Sequence, residues 1–269
     1  MFKNLLKQIK IDVKKKLKYF SYKETLPLNP MHDDIYVVEF PKSGITWLQH
    51  ILGNIELQLA GYKNEFITYY NHHKYLPDIH QIRESNINRF LNRTFIKSHS
   101  EYNPYYYFVI YLVRNPIDVM ISYYNFMLAY GYKEDFFTFV KNEQYGIKAW
   151  KNHINSWMYN KVDAQRIHLI RYEDLVSNTL KTIKNLYINL GVEIGDSIIE
   201  MAIEKSNLHN MKKYEDHYKK YNPNARKMNF VGKEGKIKKE NIMKKEVENY
   251  IRNMCYVELN MLYPELNEM

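Results

Sequence analysis

Three short stretches of this chain bring together residue types that chemistry needs. The first is Lys42-Ser43-Gly44, a lysine, a hydroxyl and a glycine that follow an apolar run ending at Pro41. A tight turn leading into a helix gathers free backbone N–H groups and the positive end of the helix dipole at one point. Such a point binds phosphate, and Lys42 adds a full charge to it. The second stretch is Lys97-Ser98-His99. Residues two apart on a strand point the same way, so Lys97 and His99 face one site. An imidazole with an unperturbed pKa of about 6.5 takes up a proton near neutral pH. The third is Arg114, with Ser122 two helical turns beyond it. A guanidinium forks onto phosphate oxygens. Neither common nucleotide fingerprint is present. The lysine precedes the single glycine, which excludes a Walker A loop, and no Gly-x-Gly-x-x-Gly occurs at this turn.

Each stretch lies where a strand hands over to a helix. Residues 35–40 read as a short buried strand. Pro41 ends it, having no N–H for the ladder, and 46–59 follow as an amphipathic helix. Residues 94–97 read as a second strand that delivers His99 at its end. Residues 105–113 form the strongest buried-strand signal, closed by Arg114-Asn115-Pro116. Proline suits a first helical turn, so a helix is predicted over 118–130. Residues 136–159 read as helical and aromatic, with Trp150 and Trp157, and 167–171 as another strand. Helices are predicted over 178–190, stopped by Gly191, over 198–214 with a closing turn, and over 241–262. This alternation predicts an α/β fold, a central parallel sheet flanked by helices, with chemistry at the strands' carboxyl ends.

The totals fit that picture. The chain has 269 residues, 45% of them hydrophobic, with nine glycines, eight prolines, no repeat and no linker-like tract. One domain over 1–269 is expected. A net charge of +9 suits a polyanionic partner. The 26 tyrosines raise the possibility of base stacking, but no RNA- or DNA-module motif accompanies them, so nucleic acid is not the expected partner. The single Cys255 excludes an internal disulfide and a cysteine zinc site and suggests a reducing compartment. The N-terminus has no unbroken apolar stretch, so no signal peptide or membrane span is expected, and the location expected is cytoplasmic. Residues 1–24 form a basic amphipathic segment, with Phe2, Leu5, Leu6, Ile9, Val13, Leu17 and Phe20 on one face. The plain reading is a surface helix docked on the core; the sharper one is peripheral contact with an anionic membrane through residues 1–20. His72-His73 lacks an acidic or cysteine partner at ligand spacing, so the pair reads as loop packing, and no metal is expected.

Phe40-Pro-Lys-Ser-Gly-Ile-Thr-Trp47 resembles the 5′-phosphosulfate loop of the PAPS-dependent sulfotransferases. The resemblance implies that Lys42, Ser43, Gly44, Ile45, Thr46 and Trp47 hold that end of the donor. Phe95-Ile-Lys-Ser-His99 looks like the family's Lys-Thr-His segment, with Ser98 for threonine. It implies His99 as catalytic base, assisted by Lys97 and Lys42. Leu112–Phe126 is similar to the 3′-phosphate segment over its whole length, which implies phosphate contacts for Arg114 and Ser122. Tyr172-Glu173-Asp174 resembles the segment whose tyrosine approaches the adenine. Residues 206–213 are similar to the adenine cover, bringing in Ser206 and Leu208. Leu208 stands where the family usually has phenylalanine and gives up the stacking term. Residues 229–239 match the family's lid least well: Lys233, Gly235 and Lys236 fit its phosphate contacts, while its tryptophan is absent. The family's dimerisation motif is not evident, which leaves the oligomeric state open.

The resemblance implies a P-loop-like single domain that moves the sulfuryl group of PAPS to an acceptor hydroxyl and releases PAP, with no metal. The basic surface and N-terminal segment point to a saccharide or glycolipid acceptor; small phenols, alcohols or amines are the alternative. A P-loop kinase using ATP and Mg²⁺ and a non-catalytic nucleic-acid binder are the competing classes. PAP at 100 times its dissociation constant should raise unfolding stability by about 2.7 kcal/mol in a thermal-shift titration. Equal protection by ADP with Mg²⁺ would favour the kinase.

Overall fold

Four apolar stretches become the strands of one parallel sheet: β1 (Ile35–Glu39), β2 (Phe95–Ser98), β3 (Phe108–Val113) and β4 (Arg166–Arg171). Their spatial order is β2-β1-β3-β4. The structure is a computed structural model and describes residues 25–68, 71–82, 85–160, 165–222 and 237–267. The N-terminal segment 1–24 and Lys233, Gly235 and Lys236, expected as phosphate contacts, lie outside the described residues.

Parallel strands covered on both faces need near-continuous apolar sequence, and β1 is buried at all five positions. Successive side chains of β1 serve opposite faces. Tyr36 and Val38 join a core with Val109, Tyr111, Trp150 and Trp157. Ile35 and Val37 join a second core with Phe95, Ile110 and Leu112. The helix after β1, Ile45–Leu59, packs on the second face, and the helix after β3, Pro116–Ala129, on the first. The chain therefore leaves β1 and β3 in opposite directions. In open α/β sheets this opens a crevice at the strands' carboxyl ends. Among the described residues no helix is long and apolar enough to cross a membrane.

Several boundaries differ from the sequence reading. β3 starts at Phe108, not at residue 105. Tyr106 instead turns inward, its phenol 3.1 Å from Ser98 Oγ and donating to the Thr25 carbonyl at 2.8 Å. The aromatic stretch 136–159 forms two helices, Phe136–Lys141 and Ile147–Tyr159. Gly146 allows the tight passage between them, since a Cβ there would meet the Asn142 and Val140 carbonyl oxygens at 2.4 Å. The helix expected over 198–214 is likewise split, into Asp196–Lys205 and Leu208–Tyr221, with Asn207 capping the second. The terminal helix divides into Lys239–Ile242, Lys245–Met254 and Tyr256–Leu262. The breaks let Val247, Ile251, Leu259 and Leu262 all reach one core.

Two buried histidines make the fold acid-sensitive. Burial pushes His50 down to about 3, helped by nearby His72, and pushes His153 down to about 4. The unfolded chain binds these protons first, so the stability is present above about pH 6.5 and is lost as the pH falls towards the folded values. Each histidine should cost about 2–3 kcal/mol at roughly pH 4.5. Thermal unfolding followed between neutral pH and that point should show the loss, and His50→Gln should flatten the slope by one histidine's share.

Candidate active site

The turn after β1 depends on two left-handed residues, Lys42 at φ 80° and Gly44 at φ 111°. A non-glycine residue in that region costs of order 1–3 kcal/mol and persists only where its surroundings hold it. Ser43 supplies part of that hold: it is buried, and both its N–H (3.3 Å) and its hydroxyl (2.9 Å) donate to the Phe40 carbonyl. The Ile45 side chain is buried in the second core, and its N–H donates to Glu39 Oε2 at 2.8 Å. Thr46 and Trp47 are half-buried on the first helical turn. The Lys42 ammonium lies 4.6 Å from the Phe126 ring centroid. Gly44 is pressed against Tyr172, whose ring would stand 2.5 Å from an added Cβ.

Arg114 follows β3 and lies across the same turn. Its guanidinium stands 4.4 Å over the Tyr172 ring, and Nη1 donates to the Lys42 carbonyl at 3.3 Å. Its Nε is buried without a hydrogen-bond partner among the described residues. The neighbouring main chain is pinned: Asn115 N donates to Glu173 Oε1 at 2.9 Å, and the Tyr263 phenol donates to Glu173 Oε2 at 3.1 Å. The Asn115 side chain caps the following helix by accepting from Ile117 N at 3.0 Å. Ser122 is half-buried two turns along that helix. The Trp47 ring meets Tyr172 edge-on with centroids 6.2 Å apart, so Trp47, Tyr172 and Arg114 form a row beside the turn.

His99 approaches from β2. Its Nδ1 lies 3.2 Å from the Glu39 carbonyl oxygen, and a carbonyl only accepts, so that nitrogen carries the proton. Nε2 is left with its lone pair, the state a base requires. Burial, and then the Lys97 charge, hold this imidazole well below its ordinary range, so it is neutral at pH 7. The His99 N–H donates to His80 Nε2 at 3.1 Å, and the two rings stack with centroids 5.7 Å apart. Lys97 pairs with Asp78 at 2.9 Å. Burial pushes the Asp78 carboxyl up, but the Lys97 ammonium outweighs it and the net shift is down.

Lys42, Arg114 and His99 thus surround one turn, joined through the Lys42 carbonyl and through Glu39. The arrangement can grip two anionic groups and accept one proton between them. Two other expected residues make none of these contacts. Ser206 is buried and its hydroxyl accepts from Asn54 Nδ2 at 3.0 Å, while Leu208 is 62% exposed at the start of its helix. Among the described residues no group of three or more His, Cys, Asp or Glu has metal-holding geometry.

Sequence reasoning passed over three residues of this cluster, Glu39, Asp78 and His80. Glu39 left a signal, because a carboxylate inside an apolar strand requires a partner. Burial pushes its pKa up to about 7 against the opposing pull of the Ile45 amide. Asp78 and His80 sit in an irregular stretch and reach the site by tertiary pairing alone. Gly44→Ala would drive a Cβ into the Tyr172 ring at a backbone angle alanine rarely adopts. It should cost at least about 1 kcal/mol of stability in denaturant unfolding. It should also weaken anion binding at the turn more than Gly61→Ala does, since Gly61 shares the positive φ but has open space around it.

A family model described as "Sulfotransferase domain" matches residues 32–262. Among curated relatives, the chain is 28% identical over 196 residues to sulfotransferase 4A1 of Mus musculus, which covers 66% of each chain. It therefore spans just under two thirds of that relative's length. It is 28% identical over 215 residues to sulfotransferase 1E1 of Bos taurus, covering 74% of this chain and 72% of the other. Among solved structures, mouse sulfotransferase SULT7A1 complexed with PAP has a TM-score of 0.58 at 20% identity, covering 88% of this chain and 86% of that one. A retinol dehydratase solved with androsterone and PAP has a TM-score of 0.64 at 17% identity, covering 88% and 82%. These two likenesses establish the fold, an α/β sheet of the sulfotransferase kind.

Proposed function

This chain belongs to the sulfotransferase domain family, and from that footing we propose that it moves the sulfuryl group of PAPS to an acceptor hydroxyl and releases PAP. The observation that carries the reading is the convergence of Lys42, Arg114 and His99 on one turn. The buried Nε of Arg114 and the close seating of Gly44 on Tyr172 fit an anionic nucleotide at this place.

In this reading Lys42, Ser43, Gly44, Ile45, Thr46 and Trp47 make up the grip on the 5′ end. Lys42 and the first-turn amides face the charge that grows on the leaving phosphate. Arg114 and Ser122 take the 3′-phosphate, the group that separates this donor from ATP. Tyr172, Ser206 and Leu208 bound the adenine, and Lys233, Gly235 and Lys236 serve as further phosphate contacts. PAPS supplies an activated sulfuryl group whose in-line transfer, like phosphoryl transfer, asks little covalent help of the protein. His99 Nε2 takes the acceptor's proton. Lys97 exchanges Asp78 for the sulfuryl oxygens.

The acceptor proposed is a saccharide or glycolipid hydroxyl, supported by the net charge of +9. A second reading, a small phenol, alcohol or amine, is favoured by the aromatic wall near Lys42. Phe40 meets Tyr123 at 5.9 Å between ring centroids, Tyr123 meets Tyr145 at 6.3 Å, and Phe126 underlies the Lys42 ammonium. A labelled-PAPS screen against oligosaccharides, lipid extracts and phenols separates the two.

His99→Ala should keep PAP affinity and lose turnover by at least about 100-fold. Arg114→Ala should weaken PAP by roughly 1.5–3 kcal/mol, read by calorimetry. Wild-type turnover in His99→Ala would remove the base assignment.

A further inference from the structure

We propose that Glu39 is a positioning residue for His99: its buried carboxylate, fixed by the Ile45 amide, faces Nδ1 of the imidazole and stabilises the charge that His99 gains on taking the acceptor's proton. The proposal rests on the reading of His99 as the base.

Glu39 is the last residue of the central strand and is 2% exposed. A carboxylate in such a place is costly unless it is paired. It presents two oxygens to the Nδ1 side of His99. One is its own main-chain carbonyl, at 3.2 Å, and the other is Oε1 of the side chain, at 3.9 Å. Oε2 is held by the Ile45 N–H at 2.8 Å. The Ile45 amide needs only a neutral acceptor, which a glutamine would supply as well.

The role of the charge lies in what surrounds the base. The charged groups facing Glu39 are the Lys42 and Lys97 ammoniums; the charged and titratable groups facing His99 are Lys97, Asp78 and the His80 ring. Asp78 is already paired with Lys97. An imidazolium formed here would stand beside a Lys97 already paired with Asp78, and Glu39 adds a second carboxylate whose Oε1 lies 3.9 Å from Nδ1. The proton balance is simple. The acceptor O–H bond breaks, its proton goes to His99 Nε2, and Glu39 takes none. The raised carboxyl pKa agrees with a group that becomes ionised near neutral pH. Because the same carboxylate holds Ile45 N–H, the turn that grips the donor and the ring that accepts the proton share one side chain.

Glu39→Gln keeps an acceptor for the Ile45 amide and removes the charge. The variant should bind PAP within about 3-fold of wild type while kcat falls about 10- to 100-fold. The acid limb of kcat near neutral pH should flatten, because it reports Glu39 ionisation. Glu39→Asp, which keeps the charge one methylene further back, should recover part of the lost kcat. In ligand-free wild type, the ring nitrogen resonances of His99 should show an inflection near neutral pH that Glu39→Gln abolishes. Wild-type kcat with an unchanged acid limb in Glu39→Gln would overturn the proposal, as would a loss confined to PAP affinity. Should that variant fail to fold, wild type alone decides: no His99 inflection near neutral pH refutes the contact. The same signal separates the two readings. An inflection without sulfuryl transfer to any acceptor leaves the Glu39–His99 contact standing and removes the reaction.

Discussion

The parallel register around β1 is the constraint from which the site follows. Val38 is paired with Ser98 of β2 on one side and Tyr111 of β3 on the other, so three strand ends finish nearly level. Neighbouring strands run about 4.8 Å apart, which places three consecutive tips within roughly 10 Å. The residues just past those tips are Lys42, His99 and Arg114. A slip of one residue in β1 would turn Tyr36 and Val38 out of their core and Ile35 and Val37 out of theirs. The double burial of β1 therefore protects the chemistry as much as the fold.

The junctions after β1 and β3 are held in a similar way. After β1, a carboxylate of the strand itself, Glu39, accepts from Ile45 N. After β3, a carboxylate from beyond β4, Glu173, accepts from Asn115 N and is backed by Tyr263 near the C-terminus. Two acidic side chains thus fix the main chain at two places rich in free N–H groups and basic side chains. Tyr172, adjacent to Glu173, packs on Gly44 and beneath Arg114, so the segment after β4 locks the two junctions to each other. The left-handed angle at Lys42 is tolerated because Ser43, Glu39 and Arg114 each hold the turn from a different direction.

Strand–helix alternation and the residue types at its junctions made the fold and the three tips legible in the sequence. The errors have physical causes. Tyr105 to Tyr107 look like strand because aromatic residues suit a pleated surface, yet Tyr106 is spent on bonds to Ser98 and Thr25. The long helical runs contain breaks at Gly146, Asn207 and Cys255, which periodicity alone does not weigh. Glu39 could have been flagged as a buried charge, but its partners lie on the following turn and on a neighbouring strand. No spacing rule within one element finds a bond of that kind.

The side of the cluster around Lys97 and His99 is organised by a segment outside the four named strands. Pro77 accepts from Lys97 N at 2.8 Å and Ile79 N donates to the Lys97 carbonyl at 2.9 Å, so residues 77–79 extend the sheet beside β2. This pairing delivers Asp78 to the Lys97 ammonium and His80 to the His99 main chain. The residue proposed to hold the sulfuryl group and the residue proposed to take the proton are therefore both anchored to one stretch. A change of conformation in residues 77–80 would alter the charge beside Lys97 and the placement of His99 together. Lys97 and His99 are therefore coupled through two short bonds to one stretch, without any movement of the sheet.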